Sequence, residues 1–261
     1  MDNQTFTQWL EALEVRHLED LRVPEVTRAL RALSSAYVER RVSGGDAATR
    51  RVGDTLDTAG KRAAFALFYG PLHFLAVARI IDALDVATPL PRAIVDLGCG
   101  TGVGGAAWAL AAGGAPLVTG IDRHPWAVAE ARWTYAELGV RGRTRQGDAG
   151  RLPRLERGDA VVAAYTLNEL PDASRERVVQ EMLAAAGIGA RVLVVEPISR
   201  RVTPWWDQTV RRVIVAGGRA DEWKFEADLP ALVERFDRAA GLNHQTIACR
   251  SFYMSGGSLS A

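Results

Sequence analysis

Lysine and cysteine are both rare in this sequence of 261 residues: Lys61 and Lys224 are the only lysines, and Cys99 and Cys249 the only cysteines. Two cysteines cannot form a disulfide framework or a four-cysteine metal or cluster site, and we expect no bound metal. An excess of one charge is also missing, because 32 Lys and Arg residues balance 31 Asp and Glu residues. This balance provides no global basic field that would attract nucleic acid.

Long apolar runs are the third thing the sequence lacks. Arg, Asp, Gly or Pro interrupts each run before it reaches the ~18 residues that suggest a membrane span. The first residues show no basic region followed by an apolar stretch, so we expect no secretory signal and a cytoplasmic location. Hydrophobic residues make up 48% of the chain and charged residues 24%, which is enough to bury a core and excludes a mainly disordered protein.

The first ninety residues have a helical pattern. Phe6, Trp9 and Leu13 recur at helical spacing, and a longer apolar segment covers residues 63–84. Pro71 lies inside that segment and should kink or divide it. We therefore predict an all-helical N-terminal cap, acting as a lid, over residues 1–90.

From residue 91 the pattern changes to short apolar strands that alternate with helices. Strands are predicted near 93–95, 117–122, 143–148, 160–164 and 191–196, with one or two closing strands at 246–254. Helices are predicted at 105–112, 126–138 and 174–186. This alternation indicates an α/β fold with a doubly wound, mostly parallel, Rossmann-like sheet over residues 91–261.

A glycine-rich turn follows the first predicted strand. Glycines there let a ligand approach the backbone at a helix N-terminus. Residues 100–105 satisfy the dinucleotide pattern G-x-G-x-x-G, which is a weak signal alone. A degenerate Rossmann domain that binds no ligand has the same pattern.

Three carboxylates narrow the choice of ligand. Asp96 lies two residues before Gly98, where a nicotinamide site is normally apolar, and it could assist an ammonium group. Asp122 ends the second strand, 20 residues after Gly102, where an acid can accept both hydroxyls of a ribose. Asp148 ends the third strand, where it can accept from an adenine amino group. Together they describe a ligand with an amino-acid end, a ribose and an adenine, and no phosphate.

These segments resemble the class I S-adenosylmethionine-dependent methyltransferases, over roughly residues 93–196. The resemblance implies a doubly wound methyltransferase sheet and S-adenosyl-L-methionine as the cofactor, converted to S-adenosyl-L-homocysteine. The cofactor-binding candidates that follow are Asp96, Gly98, Cys99, Gly100, Gly102, Asp122, Arg123, Asp148, Ala149 and Tyr165. In the resemblance, the glycines line the methionine part, Asp122 the ribose, and Asp148 with Ala149 the adenine.

A weaker resemblance covers more of the chain. Residues 64–84, 164–171 and 221–225 look like the methyltransferase-like family linked to assembly of the mitochondrial small ribosomal subunit. That family usually carries clustered cysteines that hold an iron–sulfur centre, and here Lys224 stands where a cysteine would be expected. The departure argues against a ribosomal role.

The segment after the fourth strand borders the transferred methyl group in this fold. Tyr165, Asn168 and Glu169 are the catalytic candidates there, because they could orient or deprotonate an acceptor. Capping of the next helix explains Asn168 and Glu169 equally well. His73 is the candidate base from the N-terminal helices, although a lone helical histidine is more often a packed residue.

Substrate-binding candidates come from two places. Tyr69 precedes His73, and a loop after the fifth strand carries Arg200, Trp205 and Trp206. Adjacent tryptophans cannot share one helix face, so one or both could wall an acceptor pocket or hold a cation against a ring. Alternatively, the two tryptophans pack the loop against the N-terminal helices.

From the sequence we expect a methyltransferase that acts on a small-molecule acceptor. Two alternatives stay open: an rRNA methyltransferase or ribosome-assembly factor, and an enzyme that cyclises the cofactor internally and releases methylthioadenosine. Nucleic acid is a possible partner but is not favoured, and a membrane partner is not expected.

Overall fold

One seven-stranded sheet forms the centre of the protein, in a computed structural model that describes residues 3–42 and 56–256. The strand order is β3-β2-β1-β4-β5-β7-β6. Strands β1 to β5 are mutually parallel, whereas β7 runs antiparallel to both β5 and β6. The strands are β1 Ala93–Leu97, β2 Leu117–Asp122, β3 Gly142–Gln146, β4 Ala160–Ala164, β5 Arg191–Pro197, β6 Arg219–Glu226 and β7 Thr246–Ser255. The Rossmann-like, doubly wound fold predicted from the sequence is confirmed.

Strand β6 is one of the elements that the sequence pattern did not predict. Five of its eight residues carry charge, and its side chains are half-buried or exposed. Its order comes from pairing along its whole length with β7 at the edge of the sheet. Because that pairing depends on tertiary position, local hydrophobicity gives little sign of it.

Nine α-helices surround the sheet in the described residues. They are α1 Asn3–Leu18, α2 Val23–Val42, α3 Ala59–Ala64, α4 Gly70–Ala83, α5 Val103–Ala111, α6 Pro125–Glu137, α7 Asp172–Gly187, α8 Trp206–Val215 and α9 Ala231–Ala240. Four of them precede β1, as the pattern of the first ninety residues predicts. The boundary between a cap and a second domain at residue 90 stays a prediction.

Pro71 does not divide the apolar helix. A π turn at Phe65–Tyr69 joins α3 to α4, and the Gly70 N–H donates to the carbonyl oxygen of Phe65. This wider turn admits the proline without ending the helix, and such turns are frequent at functional sites. The joined helix, Ala59–Ala83, is long and apolar enough to cross a membrane, contrary to the expectation from interrupted runs. However, 67% of its most apolar stretch is buried inside the protein, as in a core helix.

Both faces of the sheet are covered by apolar side chains. Alternate residues of β5 point to opposite faces, so Leu193 and Val195 join one cluster while Val192 and Val194 join the other. The first cluster continues into the N-terminal helices and includes the buried Trp108. The N-terminal helices are thereby packed directly on the sheet, over its first face.

Candidate functional site

The loop after β1 adopts a conformation that its glycines permit. Gly98, Gly100 and Gly102 have φ of 67°, 51° and 83°. A Cβ on Gly98 would meet Thr166 Cγ2 at 2.3 Å, and one on Gly102 would meet Tyr135 Cε1 at 2.8 Å. Gly100 differs, since its nearest neighbour would be Phe65 Cε1 at 3.5 Å. The outer glycines are therefore required by packing as well as by φ, while a Cβ on the middle one would make only an ordinary contact with Phe65.

A cavity of about 620 Å³ lies at the carboxyl ends of the strands, where open α/β sheets bind ligands. Its volume falls in the ~300–1,000 Å³ range of small-molecule sites. Eleven of the predicted site residues line it, namely His73, Asp96, Gly98, Cys99, Gly100, Asp122, Arg123, Asp148, Ala149, Tyr165 and Glu169. The structure thus gathers most of the predicted cofactor residues at one place, although their contacts with a ligand stay predictions.

Asp122 connects the glycine loop to the end of β2. Its Oδ2 accepts from the Gly100 N–H at 3.0 Å, and its Oδ1 accepts from the His124 N–H at 2.8 Å. A carboxylate has about four acceptor positions, so each oxygen can take a further donor such as a ribose hydroxyl. The two backbone bonds fix the orientation in which that donor would be met.

Asp148 lies in the turn that follows β3. Its Oδ1 accepts from the Gly150 N–H at 2.8 Å. The Gly147 N–H donates to the carbonyl oxygen of Asp122 at 2.9 Å, which holds the ends of β2 and β3 together. The predicted ribose and adenine contacts therefore belong to one connected piece of backbone.

Asp96 is buried below the loop. Its Oδ2 accepts from the Gly105 N–H at 2.8 Å and from the Tyr135 hydroxyl at 3.3 Å. Burial nevertheless raises its pKa to about 7. These bonds anchor the start of α5, while the predicted contact with the cofactor ammonium stays a prediction. Burial also raises the pKa of the Cys99 thiol well above its usual value, so the thiol is an unreactive packing group.

The other end of the cavity is aromatic. Tyr165 has a φ of 55°, unusual for a residue with a side chain, and its ring stacks on the His73 imidazole. Phe65 meets His73 edge-on, with ring centroids 6.4 Å apart. Burial lowers the pKa of His73 to about 3, so the ring is neutral near pH 7. A general base works best when its pKa lies near the operating pH, so His73 is a weak one.

Glu169 and Asn168 occupy a 3₁₀ turn, Leu167–Glu169, between β4 and α7. Glu169 lines the cavity, whereas Asn168 does not. Helix α7 begins at Asp172 with Pro171 at its N-cap and no side-chain capping bond. The structure therefore does not use Asn168 or Glu169 as the cap of that helix.

The remaining predicted residues lie away from the cavity lining. Trp206 is buried against Phe252, because its side chain completes the core below β7. Trp205 diverges from it, as adjacent side chains must, and lies 5.1 Å from the Arg175 guanidinium beside a smaller cavity of about 230 Å³. Arg200 is exposed in the loop after β5. None of these three residues lines the large cavity, and a role for them in binding a substrate stays a prediction.

Two further predicted residues support the site from outside. The Tyr69 hydroxyl is 3.1 Å from Ser34 Oγ, and the Tyr69 ring centroid lies 5.9 Å from that of His73. Gly102 lies behind the loop, against Tyr135 and Ala131.

Sequence reasoning missed Glu196 and Thr166. Glu196 is fully buried at the end of β5, and an acid after the apolar run Val192–Val195 was the available signal. Thr166 Oγ1 donates to the Gly98 carbonyl oxygen at 3.2 Å and links the segment after β4 to the glycine loop.

Residues 94–187 match the protein family described as "Methyltransferase domain". This part of the chain is similar to a methyltransferase domain. The matched segment runs from β1 through α7 and contains the glycine loop, Asp122, Asp148 and the turn after β4. The comparison with curated proteins found no match.

Similar solved structures extend the likeness in fold beyond this domain. The plantazolicin methyltransferase BpumL, in complex with S-adenosylhomocysteine, is 10% identical, covers 87% of this chain and 100% of its own, with a TM-score of 0.52. The magnesium protoporphyrin IX methyltransferase ChlM from Synechocystis PCC 6803, with bound S-adenosylmethionine, is 17% identical over 71% of this chain and 80% of its own, with a TM-score of 0.47. The first shows that this chain has the class I methyltransferase fold.

S-adenosyl-L-methionine is the cofactor that a methyltransferase domain of this fold implies. The residues present fit it. Gly100 lines the cavity without a side chain, which lets a ligand approach the backbone, and Asp122 presents an oriented carboxylate next to it. The neighbouring Asp148 adds an acceptor for an amino group. The weaker resemblance to the ribosome-assembly family stays a prediction.

Proposed function

We propose that the protein transfers the methyl group of S-adenosylmethionine to a small-molecule acceptor held against Tyr165 and His73. The carrying observation is that one cavity joins the predicted cofactor residues at one end to this aromatic wall and Glu169 at the other. When bound, the cofactor supplies an activated methyl group on a sulfonium. The chain then needs mainly to align the acceptor and to exclude water.

The residues at the two ends of the cavity have different roles in this proposal. Asp122 accepts from the ribose hydroxyls and Asp148 from the adenine amino group. Tyr165, His73 and Phe65 orient the acceptor with flat, uncharged surfaces. Glu169 takes up a proton where the acceptor must lose one, since neutral His73 accepts protons weakly at neutral pH.

Two features support a small acceptor over RNA. The helical segment that contains Phe65 and His73 forms part of the cavity wall, so helix borders the methyl-transfer end. The exposed arginines Arg141, Arg143 and Arg145 lie on or beside the edge strand β3, on the adenine side of the cavity.

Isotope transfer tests the proposal. The purified protein is incubated with methyl-labelled S-adenosylmethionine and either a small-molecule extract or total RNA, and the products are separated by mass spectrometry. We expect label in the small-molecule fraction together with S-adenosylhomocysteine. Label in RNA alone, or methylthioadenosine formed without any acceptor, would overturn the proposal in favour of one of the two alternative functions.

A further inference from the structure

A carboxylate from β5 holds the turn that follows β4. Glu196 is fully buried, and its Oε1 accepts from the backbone N–H of Leu167 at 2.8 Å and of Asn168 at 3.3 Å. These amides belong to the 3₁₀ turn that ends at Glu169. Glu196 itself is not among the residues that line the cavity.

The turn presents two cavity residues, Tyr165 and Glu169, at its two ends. Tyr165 has a backbone conformation that persists only where its surroundings enforce it. Its N–H donates to the Val195 carbonyl oxygen at 2.7 Å, next to Glu196 on the same strand. Glu196 thus secures the turn immediately after the point where β5 secures Tyr165.

Burying the Glu196 side chain is energetically unfavourable if the side chain only packs. Its Oε2 has no hydrogen-bond partner among the described residues, and an unpaired buried carboxylate oxygen is unfavourable. Arg250 lies directly opposite it on β7 and is buried beneath the Trp206 ring, 4.5 Å from the centroid. Burial raises the pKa of Glu196 to about 8, although the two backbone bonds and Arg250 act in the other direction.

We propose that Glu196 is a positioning residue for methyl transfer: through Leu167 and Asn168 it holds Tyr165 and Glu169 in place at the acceptor end of the cavity. This inference rests on the proposed function. Because the glycine loop, Asp122 and Asp148 bind the cofactor at the other end, loss of Glu196 should impair transfer while cofactor affinity is retained.

Three variants test it. Glu196→Gln keeps an oxygen acceptor for both amides, Glu196→Leu removes it, and Glu196→Asp keeps the carboxyl group but withdraws it by one methylene. Asp237→Asn is the matched control, since Asp237 is also a buried carboxylate that accepts a backbone N–H, that of His244 at 2.8 Å, but on α9.

The readouts are amide hydrogen exchange at Leu167 and Asn168, the NMR shifts of the His73 ring, S-adenosylhomocysteine affinity by calorimetry, and the initial rate of label transfer. In Glu196→Leu we expect exchange at the two amides to accelerate by about 10- to 100-fold, as the loss of the buried acceptor from both N–H groups predicts. The His73 ring shifts should move, and label transfer should fall about tenfold or more, while affinity stays within about twofold. Glu196→Gln should retain the wild-type values, and so should Asp237→Asn at this turn.

Unchanged exchange at both amides in Glu196→Leu, or an affinity that falls in step with transfer, would overturn the positioning role. If the Leu variant does not fold, Glu196→Asp is held to the same criteria. Failure of the wild type to bind S-adenosylhomocysteine would instead overturn the proposed function, and the exchange measurement would still report on Glu196.

Discussion

The ring of Tyr165 lies parallel to the imidazole of His73, with centroids 3.9 Å apart and planes at 18°. Tyr165 follows β4, whereas His73 belongs to α4 in the N-terminal helices. The stack therefore joins the helical segment to the sheet edge at the methyl-transfer end of the cavity. Removal from water lowers the pKa of His73 to about 3 and keeps the stacked ring uncharged.

His73 should consequently not titrate between pH 5 and 8. An NMR titration of the four histidines checks this, and a His73 midpoint near 6.5 would contradict it. The unfolded chain takes up the proton near pH 6.5 and the folded one near 3. The stabilisation from the neutral ring is therefore complete above pH 6.5 and is lost as the pH falls toward 3. Replacement by phenylalanine should remove this dependence and keep the stack.

Gly98→Ala should destabilise the protein far more than Gly113→Ala. Both glycines have positive φ, at 67° and 72°, so each alanine costs ~1–2 kcal/mol of backbone strain. Only the Gly98 variant also drives a methyl group into Thr166, which adds ~1–3 kcal/mol, because nothing lies within 4 Å of a Cβ at Gly113. Urea unfolding of both variants measures the difference, and equal losses would show that close packing at Gly98 is unimportant.

Asp122→Asn should weaken S-adenosylhomocysteine binding by roughly 10- to 100-fold, the range for a lost charge-assisted hydrogen bond. The amide retains one acceptor oxygen but loses the charge and the second acceptor that the ribose hydroxyls would use. Calorimetry gives the dissociation constant, with Asp228→Asn, an exposed acid between β6 and α9, as the control. Equal affinities for the two variants would rule out Asp122 as the ribose ligand.

The stability of the wild type relative to Glu196→Gln should decrease as the pH rises from about 4.5 to about 8. Burial raises the pKa of Glu196 to about 8 in the folded protein from 4.5. In this window the folded state holds a proton that the unfolded state has released, so unfolding becomes easier by up to about 1.4 kcal/mol per pH unit. Above pH 8 the difference should be constant. Unfolding curves at several pH values measure it, and parallel curves would contradict the raised pKa.

The cofactor end of the site was predictable because its determinants are local. Gly98 follows β1, Asp122 ends β2 and Asp148 lies two residues after β3, and the carboxyl ends of parallel strands meet at one edge of the sheet. Recognition of the strands was therefore enough to bring these residues together. The same reasoning placed Tyr165 correctly at the end of β4.

The acceptor end required tertiary information. The role of Glu196 depends on β4 and β5 being neighbours, and the stack of His73 on Tyr165 depends on how α4 packs over the sheet. Trp206 also required tertiary information. The sequence made it a substrate-binding candidate, whereas in the structure its ring packs on Phe252 in the core below β7. Strand β6 was not predicted because its extended structure depends on pairing with β7 rather than on its own residues.

Calorimetric titration of the wild-type chain with S-adenosylhomocysteine tests the central claim most directly, because the cavity is assigned to this cofactor before any acceptor is known. We predict one molecule bound per chain, with the affinity weakened roughly 10- to 100-fold in Asp122→Asn and retained in Asp228→Asn. Absence of binding to the wild type, or binding that both variants leave unchanged, would contradict the assignment of the cavity as the cofactor site.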